Sequence, residues 1–405
     1  MKRTAIEGGL LFGVALLLRA GGAWMLGEGA PFGPDGTGAE ASVHLPGHLY
    51  PLHIFLISVV GDGRALSVVC GALTCLLLWI YGRRLGLGSA GGWLAAALPL
   101  AVYPSCLTAG DAPALLFVVA GATFATFGRG AAVAGGALAM ASIAVKPVVL
   151  PALVLLLPTP LAFFGAMVAM PAALPWLKPL LDPNVGGGLL GSWWLGNNGS
   201  PPASLDDALH LVQGGARALV EAPLWTMVPL TVLAGVGAAW PWSARREEAT
   251  PTRWARGAVI GPILGVMLLA ALFGERLAPR YLAASMLALL PWVGALVPRP
   301  TAALLLVPTF AVLSQVASYR AQADPTALVP AVPVLPIPPV GAGALFDEAS
   351  TEGATALRAE AHQLAQSLPQ GATVTVERRA HGREGELVWP LRVLRPDVKI
   401  EVIAP

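Results

Sequence analysis

Long apolar runs separated by short polar segments follow one another along most of the chain. A helix needs roughly 20 apolar residues to cross a hydrocarbon core of about 30 Å, and runs near that length recur from the N-terminus to residue 318. The pattern predicts eleven spans, at about 5–26, 64–81, 88–104, 111–128, 131–145, 147–158, 160–177, 223–241, 258–274, 281–297 and 301–318. The predicted fold class is therefore an all-α polytopic membrane protein.

Two of the predicted spans, 131–145 and 147–158, are short, and Pro147 and Pro151 interrupt the second. They are either two thin spans or a re-entrant hairpin. A hairpin at membrane depth is tolerated only where protein or a cavity covers its backbone. The hydropathy pattern leaves both alternatives open.

The pattern changes after residue 318. Residues 1–318 hold 30 of the 48 charged residues, whereas the last 87 residues hold 18. We therefore predict a transmembrane domain over 1–320, a Pro-rich and semi-rigid linker over 321–345, and a small α/β domain over 346–405. Within that domain the pattern predicts a helix over 350–368 and strands over 373–378, 386–394 and 399–404.

The overall composition supports a membrane protein and excludes several other classes. Of the 405 residues, 56% are hydrophobic and 12% are charged, about half the charged fraction of a soluble protein. A formal net charge of +2 excludes a basic nucleic-acid-binding domain. The three cysteines all lie in apolar runs and are too few for a disulfide framework or a four-thiolate metal site.

The basic residues predict the orientation of the chain. Lysine and arginine concentrate in cytoplasmic loops, and eleven alternating spans satisfy this rule with the N-terminus in the cytoplasm. Two long loops, 27–62 and 178–222, then lie on the outer face, together with the C-terminal domain. Loops of this length are usually functional, which makes the outer face the expected location of the site.

Two carboxylates stand out where spans meet the outer face. In so poorly charged a chain, ionisable groups near membrane depth mark candidate sites. Asp35 lies between Pro34 and Gly36, where a turn explains it; the alternative is a general base that takes a proton from an acceptor. Asp111 begins the fourth span, where the helix dipole stabilises an acid and a capping role would also suffice.

Three cations have the same ambiguity. The Lys146 side chain either extends its ammonium to the interface or meets an anion. Arg276 and Arg280 either pair with Glu275 or bind a phosphate, whose oxygens match the guanidinium fork. Glu40, His44, His48 and His53 follow Asp35 in the first outer loop. These histidines are either hydrated or hydrogen-bonded loop residues or ligands of a divalent cation, although their spacing matches no known ligand motif.

Several short motifs occur in an order that resembles the GT-C class of membrane glycosyltransferases. The resemblance is to the bacterial aminoarabinose-transferase and protein O-mannosyltransferase-like families, and it covers about residues 1–320. Its motifs are Pro34-Asp35, the stretch GHLYPLHIFL from His48 to Leu56, Thr108 with Asp111, Lys146-Pro147, Gly196-Asn197-Asn198, and Arg280-Tyr281-Leu282.

This resemblance implies an inverting transfer of a sugar from a polyprenyl-phosphate donor. The acceptor would be a lipid, glycan or protein on the outer face of a bacterial cytoplasmic membrane, and the C-terminal domain would be periplasmic. The catalytic residues would be Asp35 as the general base and Asp111 as an accessory to it, while Lys146, Arg276 and Arg280 would bind the donor phosphate. The implied substrate-binding residues are Glu40, His48, Tyr50, Asn197, Asn198 and Tyr281.

Two alternatives to a glycosyltransferase remain. Gly36 occupies the position where the family pattern has a second acid, so the chain is alternatively a non-catalytic membrane subunit of a larger assembly. A flippase for lipid-linked sugar is the other alternative. The long outer loops and the absence of an internal duplication in the sequence favour an enzyme over a flippase.

Overall fold

The computed structural model describes residues 2–26, 51–106, 110–181, 282–296, 354–377, 387–388, 391, 394–395 and 397–403. The predicted spans 223–241, 258–274 and 301–318 lie outside these residues, as do the second outer loop and the linker. The elements in chain order are α1 (Lys2–Leu26), α2 (Pro51–Val60), α3 (Gly63–Arg84), α4 (Ala90–Ala97), α5 (Pro99–Val102), a 3₁₀ helix (Tyr103–Cys106), α6 (Asp111–Ala125), α7 (Arg129–Met140), α8 (Ser142–Val145), a second 3₁₀ helix (Pro147–Leu156), α9 (Pro160–Leu181), α10 (Leu282–Gly294), α11 (Ala354–Ser367), β1 (Thr373–Glu377) and β2 (Lys399–Ile403).

Helical structure is present at all eight predicted spans that fall within the described residues. Two of these helices, Arg3–Trp24 and Gly63–Arg84, are long and apolar enough to cross a membrane. Four shorter apolar helices accompany them in the described part of the chain. The helical architecture is thus as predicted, while eleven crossings and their orientation stay predictions.

The region 129–156 forms two short segments that run in opposite directions. At one end Lys146 contacts Asp111, and the neighbouring Ala112 packs beside the first turns of α3. At the other end the Tyr81 hydroxyl, near the end of α3, donates to the carbonyl of Leu155 at 2.7 Å. The two segments therefore extend over about the same length of the bundle as α3, and whether they are two spans or a re-entrant hairpin stays a prediction.

Glycines allow the short segments to pack closely against their neighbours. A Cβ added to Gly121 of α6 would collide with the carbonyl of Gly135 in α7, and one added to Gly136 would collide with the carbonyl of Ala162 in α9. Within a bilayer, helices associate by such close contact of small residues, because lipid tails are as apolar as the side chains. The backbones of α6, α7 and α9 are therefore in direct contact.

Glu7 of α1 connects three elements at the end of the bundle that the basic residues predict to be cytoplasmic. Its carboxylate accepts hydrogen bonds from the Trp79 indole at 3.1 Å and from the Ser89 hydroxyl at 3.2 Å. The guanidinium of Arg83 lies 3.7 Å away. This network fixes the first turns of α1 against the end of α3 and the start of α4.

The C-terminal residues form a separate small hydrophobic core. β1 and β2 pair in parallel, with Thr373 opposite Lys399. Apolar side chains of α11 and of the chain between the strands pack on this pair; the buried members are Ala361, Val376, Leu387, Val388 and Leu391. The helix and the first and last predicted strands are therefore present in the α/β unit.

The predicted strand over 386–394 is wrong, because the described residues of this segment are helical. The buried Leu387, Val388 and Leu391 follow helical spacing, and the Arg395 amide donates to the Leu391 carbonyl at 2.8 Å. Two parallel strands need a crossover connection, which is usually a helix. Pro390 also lacks the N–H that a central strand would need.

A charged turn closes this unit. The guanidinium of Arg395 donates to the carbonyls of Ala365 and Leu368 at the end of α11 and to the carboxylate of Asp397 at 2.8 Å. Asp397 also accepts from the Gly371 amide at 2.9 Å. The bond from Arg395, followed by that from Gly371, holds the pKa of Asp397 well below its usual range.

The glycine contacts predict a difference between two identical substitutions in α7. Gly136→Ala should lower the thermal unfolding temperature in detergent, because its Cβ would meet backbone of α9 and overpacking costs about 1–3 kcal/mol. Gly130→Ala is the matched control: no atom lies within 4 Å of its added Cβ, and alanine favours a helix over glycine by about 0.5–1 kcal/mol. Equal unfolding temperatures for the two variants would contradict the close packing of α7 on α9.

Candidate functional site

Asp111 and Lys146, two of the predicted site residues, form a buried ion pair. The Lys146 ammonium lies 2.9 Å from a carboxylate oxygen of Asp111, and the two side chains are 1% and 3% exposed. The residues are 35 positions apart in sequence. The structure thus joins a predicted accessory acid to a predicted phosphate-binding cation.

The local sequence explains why Lys146 interrupts the helical backbone. The residue before a proline is disfavoured in helical conformation, and Lys146 is extended, with φ −167° and ψ 118°. Its amide still donates to the Ser142 carbonyl at 2.7 Å and thereby closes α8. Pro147 then begins the 3₁₀ helix, where no N–H is required. The break therefore places a lysine between two apolar segments.

Asp111 is the first residue of α6, and Gly110 precedes it without a side-chain cap. A carboxylate in a first turn interacts favourably with the partial positive charge of the helix N-terminus. The capping role considered for Asp111 is thus compatible with its position, and the ion pair adds to it. The Lys146 ammonium, by contrast, is not extended to a solvent interface, because it is buried against Asp111.

His53 of α2 packs against the same junction. Its side chain is 1% exposed, and a Cβ added to Gly110 would lie 3.2 Å from both the His53 Nδ1 and the Val145 carbonyl. A glycine at position 110 therefore permits α2, the start of α6 and the end of α8 to meet. His53 was predicted either as a loop histidine that bonds water or protein or as a metal ligand, and its place beside the ion pair was not predicted.

The face of α2 that carries His53 is the one that packs on the bundle. Leu56 and Ile57, three and four residues later, contact a small apolar cluster with Leu66 and Ala112. His53 is thus a polar group on an otherwise apolar contact face. The spacing of His53, three and four residues before Leu56 and Ile57 in an apolar helix, was the feature of the sequence that could have predicted its burial.

Two arginines lie at the same end of the described bundle. Arg64, in the first turn of α3, donates to the Ala23 carbonyl of α1 at 3.4 Å. Arg19 of α1 is 1% exposed and bonds backbone carbonyls, including that of Ala95 at 3.0 Å. Arg19 lies inside the predicted first span and is not among the predicted site residues.

The other predicted site residues lie outside the described residues, and their placement stays a prediction. They are Asp35, Glu40, His48, Tyr50, Asn197, Asn198, Arg276, Arg280 and Tyr281. Among the residues that the structure describes, no group of three or more His, Cys, Asp or Glu side chains is arranged to hold a metal ion. Most of the loop considered for a divalent cation is outside that part of the chain.

Comparison with solved structures finds the same architecture in ArnT from Cupriavidus metallidurans, crystallised bound to undecaprenyl phosphate. The match has a TM-score of 0.53 and 17% sequence identity, and it covers 97% of this chain and 89% of that chain. The chain shares the ArnT fold. ArnT is an aminoarabinose transferase and a GT-C enzyme, so the predicted resemblance is confirmed at the level of fold.

The shared fold makes this chain a polytopic helical membrane protein. No protein-family model matches the chain, and no curated protein matches it. The likeness to ArnT is therefore one of fold, and it does not by itself assign a reaction to this chain.

The ion pair predicts strong coupling between its two residues. Lys146→Met should lower the free energy of unfolding by about 3–5 kcal/mol, because removing one partner leaves a buried charge uncompensated. The double variant Asp111→Asn/Lys146→Met should be more stable than Lys146→Met alone, although it carries one more substitution. Thermal unfolding of the wild type, both single variants and the double variant measures this coupling. Additive losses would contradict a direct pair in the folded protein.

Proposed function

We propose that this chain transfers a sugar from a polyprenyl-phosphate donor to an acceptor on the outer face of a bacterial cytoplasmic membrane. The observation that carries the proposal is the fold shared along 97% of the chain with a transferase bound to undecaprenyl phosphate. The order of the sequence motifs supports the same reaction. The acceptor is a lipid, a glycan or a protein.

The chemistry requires a base and an anion-binding group at the membrane surface. The acceptor oxygen or nitrogen attacks the anomeric carbon, the bond from that carbon to the phosphate oxygen breaks, and the configuration inverts. Asp35 is the proposed general base that receives the acceptor proton. The donor leaves as an anionic polyprenyl phosphate, which preorganised cations stabilise in a low-dielectric site.

Lys146 is one of the proposed phosphate ligands, with Arg276 and Arg280. An ammonium has three N–H donors, so Lys146 can bond a phosphate oxygen while it keeps its contact with Asp111. Asp111 is then an accessory acid that orients Lys146.

The two outer loops are the proposed source of the sugar contacts. Glu40, His48 and Tyr50 follow Asp35 in the first loop, and Asn197 with Asn198 lies in the second. Tyr281 follows Arg280 at the start of a later span. In this proposal the C-terminal domain, residues 346–405, is periplasmic and the N-terminus is cytoplasmic, as the distribution of basic residues predicts.

A first experiment tests the base. Asp35→Asn should reduce transfer by about 10²–10⁴-fold, the usual contribution of general base catalysis, while the protein still folds and inserts in the membrane. The measurement is transfer from radiolabelled polyprenyl-phosphate sugars to lipid, glycan and protein acceptors in membranes. Because Asn keeps the shape of Asp, a folding defect is not expected.

The first outer loop offers a matched control. Asp62 caps α3 by accepting from the amides of Arg64 and Ala65 at 2.8 and 3.0 Å, and asparagine caps helices as well as aspartate. Asp62→Asn should therefore leave transfer near the wild-type rate. Full activity of Asp35→Asn would exclude Asp35 as the base. A folded wild type inactive on every donor and acceptor would instead support a non-catalytic subunit, the alternative suggested by Gly36.

A second experiment tests the phosphate contact. Arg280→Ala should raise the KM for the lipid-linked donor roughly 10-fold or more, because a hydrogen bond to a charged group contributes about 1.5–3 kcal/mol. Arg129→Ala is the control for a general loss of positive charge, because Arg129 begins α7 at the end of the described bundle away from the Lys146–Asp111 pair. This variant should leave the KM unchanged. An unaltered donor KM in Arg280→Ala would remove this residue from the phosphate site.

A further inference from the structure

The third predicted span is broken between α4 and α5. α4 ends at Ala97, and Leu98 is extended, with φ −78° and ψ 129°. In a continuous α-helix the carbonyl of Ala95 would accept from the amide of residue 99. Residue 99 is proline, which has no N–H, so the break leaves the Ala95 carbonyl without its helical partner inside the bundle.

Arg19 of α1 supplies a donor at this point. Its Nη2 donates to the Ala95 carbonyl at 3.0 Å and to the Ala101 carbonyl at 3.4 Å, so one nitrogen bridges the two sides of the break. Its Nη1 donates to the Ala15 carbonyl within α1 at 3.3 Å. The side chain is 1% exposed, and its planar guanidinium presents several N–H donors in a fixed geometry.

The surrounding residues make room for this contact. A Cβ added to Gly71 of α3 would lie 2.7 Å from the Arg19 Nε and would also collide with Ser105. Ser105 supplies a second donor to the Ala101 carbonyl at 3.4 Å. The Cys106 thiol donates to the Arg19 carbonyl at 3.5 Å. Arg19 is thus enclosed by α3 and by the 3₁₀ helix that follows the break.

We propose that Arg19 replaces the hydrogen-bond donor that Pro99 lacks. Arg19 thereby fixes the backbone geometry of the break between α4 and α5. This geometry places the 3₁₀ helix Tyr103–Cys106 against α3 and against α6, whose first residue is Asp111. Arg19 thus fixes the local geometry of the bundle, and this role does not depend on whether the chain transfers a sugar.

The first test compares variants of Arg19 in the wild-type chain and in a chain that carries Pro99→Ala. Arg19→Met removes the donors and should lower the thermal unfolding temperature by several degrees. Arg19→Lys keeps an ammonium with three donors and should retain at least half of the lost stability. Pro99→Ala restores an N–H at residue 99, so Arg19→Met should cost clearly less in that background. If Arg19→Met alone does not accumulate, recovery of folded protein by Pro99→Ala becomes the readout.

Pro113→Ala is the matched proline control. Pro113 is the third residue of α6, where an amide has no partner within the helix, so its replacement should not alter the effect of Arg19→Met. The proposal would be overturned if Arg19→Met lowered the unfolding temperature equally in the presence of Pro99 and of Pro99→Ala. It would also be overturned if Arg19→Lys were as unstable as Arg19→Met.

A local readout separates a loosened break from general instability. In a chain with Cys70→Ala and Cys75→Ala, the remaining thiol in the described part of the bundle is the buried Cys106. Well below the unfolding temperature, Arg19→Met should raise its rate of maleimide alkylation about tenfold, and Arg19→Lys should stay near the parent. Unchanged alkylation in Arg19→Met would contradict a role in holding the turn.

Discussion

The hydrocarbon core of a membrane offers no water to polar groups, so a polar group at that depth is costly unless the protein supplies its hydrogen bonds. Among the described residues, the buried contacts between segments distant in sequence include those of Arg19 with Ala95, Lys146 with Asp111, and Tyr81 with Leu155. An apolar side chain can pack against many neighbours, whereas a buried donor needs a particular acceptor. These few polar contacts therefore determine which segments meet and in which register.

Close packing of small residues is the second interaction that holds the helices together. Gly121 and Gly136 bring α6, α7 and α9 to backbone contact, and Gly110 allows His53 to approach the end of α8. Close contact of this kind explains how the short and proline-interrupted segments around Lys146 are accommodated. Other helices cover their irregular backbone, as is required at membrane depth.

Hydropathy predicted the positions of the helices because burial in lipid acts on every residue of a span. It also drew attention to Asp111 and Lys146 through their scarcity, but it assigned them separate roles. Their pairing depends on how α6 packs against the break at Lys146, which a local pattern does not contain. Arg19 was missed because its partners are backbone carbonyls, and these leave no mark in the sequence. The strand predicted over 386–394 was wrong because the local pattern fits two structures. Leu387, Val388 and Leu391 have helical spacing, whereas the alternating residues around them are typical of a strand.

The ion pair also bears on how a phosphate site can exist in a membrane protein. A lysine that must stabilise a departing phosphate is needed only while a donor is bound, yet it has to stay buried between turnovers. An unpaired ammonium in so apolar a place would carry a large desolvation cost. Asp111 pairs with the buried Lys146, and on the proposed function a phosphate that enters would share the same cation. The contact that stabilises the bundle would then also hold the ammonium in position for the donor. For this reason the stability and the activity of variants at these two positions have to be measured together, because a loss of either alone would not distinguish the structural role of the pair from its role toward the donor.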